Sequence, residues 1–265
     1  MSRRIVSISC EGNNLLGTLD ISSSSTGLLI VSGGNEIRSG PWGSQALLAR
    51  EIAAAGFPVF RFDRRGVGDS DGPNGGYRSA APDIAAALSA FRAHVPVLRR
   101  VVGYGNCDGA SALMLASGGG CDGLVLANPW TIDEMPSGEA PDGNAALPSA
   151  AVRAHYLRRL RDPGALLRLV KGKISLAQLL GSLRDAARPA PPPSTLAREL
   201  TQKLDEFAGP TTILLAERDR TAQEFLTHWD KRDARLRICP QASHSFVEPS
   251  AQAWLREQLV AALRD

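Results

Sequence analysis

The chain of 265 residues is 43% hydrophobic and carries a formal charge of +3, from 30 basic and 27 acidic groups. That length allows one large α/β domain or two small ones, and the apolar share sustains a sizeable core, which excludes general disorder. The even charge balance argues against a nucleic-acid binder, and no apolar run approaches the roughly 20 residues needed to span a bilayer.

From the N-terminus, MSRRIVSISCEG lacks the apolar core of a signal peptide, because Ser7, Ser9 and Glu11 interrupt it. IVSIS and LLGTLDI, separated by the turn EGNN, read as a hairpin. GLLIVSGGN is a buried strand ending in glycines. PWGSQALLAREIAAAG is a helix with Pro41 near its start and Gly56 at its end. FPVFRFD is the next strand; the loop RRGVGDSDGPNGG leads from it to a helix with Ile84, Ala87, Leu88 and Phe91 on one face. RRVVGYG is a third buried strand that passes directly into the helix DGASALMLAS, and CDGLVLANP is a fourth. This alternation predicts an α/β fold: a mostly parallel central sheet, helices on both faces, and the hairpin as an antiparallel edge.

The alternation stops between residues 131 and 205, where no convincing strand occurs. HYLRRL, ALLRLV and LAQLLGSL are apolar at helical spacing, and residues 151–190 carry nine basic and two acidic side chains, a net of +7. PAPPPS is a stiff connector. The segment 131–205 reads as a helical cap inserted into a core formed by residues 1–130 and 206–265. In the second core segment, PTTILLAERD is a strand and loop, TAQEFLTHWDKRD a helix, ARLRICP a strand, QASHSF a loop and SAQAWLREQLVAALRD a closing amphipathic helix.

Open α/β sheets bind ligands beyond the carboxyl ends of their strands. Cys107, Asp219 and His244 all fall in such loops. In GYGNCDGA, Cys107 stands between a strand and a helix, flanked by Gly105 and Gly109, as a tight turn exposing a nucleophile requires. The unpaired N–H groups of the helix N-terminus would stabilise a thiolate and later an oxyanion. A buried core thiol is the structural alternative. His244, between a late strand and the last helix, is the histidine placed to act as base. Asp219 would orient its imidazole, although an aspartate there also suits a helix cap; Glu217 and Asp133 are rival acids. The backbone N–H of Asp108, after the cysteine, and that of Asn35, in SGGN, would form the oxyanion hole.

The four cysteines, Cys10, Cys107, Cys121 and Cys239, form no CxxC pair, so neither a zinc site nor a disulfide framework is indicated. Free thiols suit a reducing cytoplasm. Gly103 and Gly105 begin a G-x-G, but Asp108 stands where the third glycine of a dinucleotide loop belongs, and no cofactor or metal is expected.

SGGN, FRFDRRGVGDSDG, GYGNCDGA, LLAERD and ASHSF together resemble the α/β-hydrolase superfamily across essentially the whole chain. FDRRGVGDS, the cysteine turn and the place of the insertion are more narrowly similar to the exosortase A system-associated hydrolases of bacteria. The resemblance implies an α/β-hydrolase fold and a Cys–His–Asp triad on Cys107, His244 and Asp219, with Asp63, Arg64 and Gly66 structural. The chain departs from the superfamily in having cysteine for the usual serine. A thiolate leaves a tetrahedral intermediate more readily than an alkoxide does, which favours thioesters, activated esters or strained lactones as substrates. The expected partner is a small-molecule acyl substrate, free or carrier-bound. The net +7 segment would suit an anionic donor such as a pantetheine-phosphate carrier, though a solvated helix face is its more common role. An acyltransferase using the same acyl-enzyme, and a noncatalytic protein retaining the fold, are the alternative functions.

Overall fold

The computed structural model describes residues 2–132 and 194–265. Among these residues, eight strands form one sheet in the order β1-β2-β4-β3-β5-β6-β7-β8. The hairpin β1 (Arg3–Cys10) and β2 (Asn13–Asp20) is the antiparallel edge, and β2 also pairs antiparallel with β4 (Val59–Phe62). β3 (Thr26–Val31), β4, β5 (Arg100–Asn106), β6 (Gly123–Ala127), β7 (Thr211–Ala216) and β8 (Leu236–Cys239) run parallel. This is the architecture expected from the strand and helix alternation.

Helices cover both faces. α1 (Ser44–Ala54) and α6 (Pro249–Arg264) pack on one face; α2 (Ala81–His94), α3 (Asp108–Leu115), α4 (Thr195–Asp205) and α5 (Arg220–His228) pack on the other. Successive strand residues point to opposite faces, so a sheet covered twice needs unbroken apolar runs. In β3, Leu28 and Ile30 join the α1–α6 core while Leu29 and Val31 join the other; in β7, Leu214 and Ala216 oppose Ile213 and Leu215 in the same way.

One detail differs from the elements read in the sequence. The helix through TAQEFLTHWDKRD ends at His228, because Asp230 and Asp233 accept the N–H groups of Arg232 (2.9 Å) and Arg235 (2.8 Å) in local turns that compete with helix. Within the segment 131–205, α4 packs on the core through buried Leu196, Leu200 and Leu204, with Ser194 Oγ capping its start by accepting from Ala197 N at 2.9 Å. Residues 133–193, including the basic stretch 151–190 and Asp133, lie outside the described residues. No helix among the described residues is long and apolar enough to cross a membrane.

Candidate active site

β3 and β5 pair so that Val31 lies beside Gly105, and the chain leaves β5 at Asn106. Cys107 follows with φ 59° and ψ −127°, a conformation that L-residues rarely adopt, and α3 begins at Asp108. The surroundings fix this turn: Cys107 N–H donates to Ala127 O (2.9 Å), and Cys107 O accepts from Ala110 N (3.1 Å) and Trp130 N (3.3 Å). The flanking glycines permit the close approach. A Cβ on Gly105 would lie 2.5 Å from the Gly109 carbonyl carbon, and one on Gly109 would lie 2.5 Å from Val31 O. Cys107 is partly exposed, whereas Cys10, Cys121 and Cys239 are buried. Burial pushes the Cys121 thiol up to about 12, and burial with the neighbouring Asp83 pushes Cys10 up to about 11.

His244 reaches this turn from the β8–α6 loop. Its Nδ1 lies 3.0 Å from Asp219 Oδ1, and its side chain is hydrogen-bonded to Cys107 as well. The bond to Asp219, then the bond to Cys107, push the imidazole up to about 10 against the opposing effect of burial. Asp219 is buried and serves two elements at once: Oδ2 accepts from Ala222 N (3.0 Å) as the cap of α5, while Oδ1 faces the imidazole. Glu217, the rival acid, instead accepts from Gln241 N at 2.8 Å and holds the start of the same loop.

The β3–α1 loop closes over α3. Gly34 N–H donates to Asp108 Oδ1, and buried Arg64 donates through Nη2 to Gly34 O. The peptide units on both sides of Gly34 are therefore pinned. Glu36 N–H turns back to Gly33 O at 3.0 Å. The N–H groups of Asn35 and Asp108 meet no acceptor among the described residues. Burial lowers the Arg64 guanidinium pKa, and the Asp108 and Asp83 carboxylates oppose that shift. Asp63 holds the loop from below by accepting from Arg38 N and pairing with the Arg38 guanidinium.

The sequence reading did not single out Asn128. Its side chain is fully buried, its φ is +43°, and it joins the ends of β5 and β7 to the β8–α6 loop: Nδ2 donates to His244 O (2.9 Å) and Asn106 Oδ1 (3.0 Å), while Oδ1 accepts from Ala216 N (2.8 Å). The available signal was an asparagine directly after an apolar strand, where this residue type tolerates positive φ. Among the described residues, no group of three or more His, Cys, Asp or Glu side chains could hold a metal ion.

The model of the alpha/beta hydrolase family matches residues 28–257. Among solved structures, the chain is similar to the esterase Pf2001 of Pyrococcus furiosus, with a TM-score of 0.62 and 16% identity over 99% of this chain and 90% of that one. It is similar to a dienelactone hydrolase from Anabaena variabilis, with a TM-score of 0.60 and 15% identity over 99% and 97%. It also resembles Est1E of Butyrivibrio proteoclasticus, solved with ferulic acid bound, with a TM-score of 0.58 and 14% identity over 98% and 100%. No curated protein matches the chain.

Proposed function

Given that the chain belongs to the alpha/beta hydrolase family, we propose that it hydrolyses activated acyl substrates, thioesters above all, through Cys107, His244 and Asp219. The observation that supports this reading is that His244 Nδ1 lies 3.0 Å from Asp219 and its ring interacts with Cys107, whose sulfur stands on a strained turn at a helix N-terminus. Cys107 attacks the acyl carbon as the sulfur of a thiolate–imidazolium pair, its proton already held by His244. The resulting oxyanion accepts from the N–H groups of Asp108 and Asn35. The imidazolium protonates the departing thiol or alcohol, and the acyl-enzyme keeps a thioester to Cys107. Water, deprotonated by the same imidazole, releases the carboxylic acid and restores the thiol. The narrower likeness to the exosortase A system-associated hydrolases belongs to the same reading and rests on FDRRGVGDS, the cysteine turn and the place of the insertion.

A panel of acyl thioesters, p-nitrophenyl esters and alkyl esters tests the proposal. Thioesters should exceed alkyl esters of the same acyl group by about tenfold or more in kcat/KM, and Cys107→Ala should lower turnover by about 10³-fold or more. Equal turnover of thioesters and alkyl esters, or full activity in Cys107→Ala, would refute it. Added alcohol or amine that outcompetes water would reassign the same acyl-enzyme to acyl transfer.

A further inference from the structure

A cavity of about 350 Å³ opens on the α1–α6 face of the sheet, a volume at the lower end of small-molecule sites. Three residues of its wall are chain neighbours of the candidate machinery: Asn106 precedes Cys107, Ser245 follows His244, and Glu36 follows Asn35. The cavity therefore adjoins the candidate site along one edge. Its interior is largely apolar, with Leu48, Tyr104, Phe246 and Leu255 in the wall. Two further lining residues, Trp42 and Leu47, are 89% and 48% exposed, so they keep apolar area that a ligand could cover.

The charge of the lining is one-sided. Glu36 and Glu51 face the cavity, Glu51 paired from outside it with Arg256 Nη1 at 3.4 Å, and no lysine or arginine among the described residues lines it. Burial pushes the Glu36 carboxyl above the ordinary range and Asp108 adds to the shift, with His244 opposing. A further anion brought into this partly desolvated space would bear the same cost of desolvation, beside the Glu36 and Glu51 carboxylates.

We propose that this cavity is a substrate subsite for one uncharged or cationic, mostly apolar arm, and that it rejects carboxylate- or phosphate-bearing arms of similar size. The proposal rests on the acyl-hydrolase reading above and adds the class of group that the site accepts. The arm is either the acyl chain or the leaving group, and two matched thioester series distinguish them.

In the first series, acetyl, phenylacetyl, trimethylammoniobutyryl and succinyl groups are joined to one thiol. In the second, acetyl is joined to methyl, benzyl, trimethylammonium-bearing and carboxylate-bearing thiols. In one series kcat/KM should rise about tenfold or more from the smallest member to the aromatic and cationic members, and fall again for the anionic one. Leu47→Trp, which narrows the cavity from a half-exposed position, should erase that preference. A preference indifferent to charge, or one that Leu47→Trp leaves intact in both series, overturns the subsite while hydrolysis itself stands. If no acyl substrate is turned over, the hydrolase reading fails separately. Calorimetry on Cys107→Ala then decides the subsite: phenylacetamide should bind about tenfold or more tightly than succinamate, and Leu47→Trp should weaken it. Equal binding, or none, overturns it.

Discussion

Asp219 divides its two carboxylate oxygens between a helix cap and an imidazole, and the two duties separate by mutation. Asparagine caps helices as well as aspartate does but cannot hold an imidazolium. Asp219→Asn should therefore keep the cap but lose the stability that the carboxylate gives the His244 imidazolium, most of it near pH 6, while kcat falls by about 10³–10⁴-fold on the best thioester. Asp219→Ala should lose the same activity and about 1 kcal/mol of stability more than Asp219→Asn, read by denaturant titration. The sequence allowed both meanings of this aspartate, cap or partner of an imidazole, and could not show that one side chain both caps α5 and faces His244. The distinction from Glu217 depended on direction: Glu217 turns toward Gln241 and Asp219 toward His244.

At the scale of elements, the strand-turn-helix of β5 and α3 was legible because small residues at 105 and 109 bracket a polar turn between two apolar runs. What those glycines accommodate was not legible, since Val31 O belongs to a strand more than seventy residues earlier in the chain. Gly109→Ala places a methyl group 2.5 Å from that backbone oxygen, which cannot rotate away. The substitution should push α3 off β3 and cost about 1–3 kcal/mol, measured as a lower melting temperature, with acyl turnover falling in parallel as the turn at Cys107 shifts. The end of α5 was misread for a related reason: periodicity continues through DKRD, but the Asp230 and Asp233 carboxylates compete for the backbone.

At the scale of the molecule, the parallel strands place the loops after β3, β5, β7 and β8 on one edge, so residues far apart in sequence meet there. Asn128 ties the ends of β5 and β7 to the β8–α6 loop from the interior. The relay also couples the site to global stability. The native imidazole of His244 titrates near 10 against 6.5 ordinarily, so the folded chain holds this proton more tightly than the unfolded chain. Its contribution is complete below about pH 6.5 and is lost as pH rises toward 10. The stability difference between wild type and His244→Gln should accordingly be largest near pH 6 and shrink by pH 10, followed by denaturant titration across that range. The sequence by itself determined the α/β alternation, the antiparallel edge and the three loops that carry Cys107, Asp219 and His244, because hydrophobic period and turn residues are local properties. Only the tertiary structure decided which carboxylate faces the imidazole, how Arg64 and Asp108 pin the Gly34 peptides, and where a cavity adjoins them, because those depend on side-chain directions across strands that the chain joins only after folding.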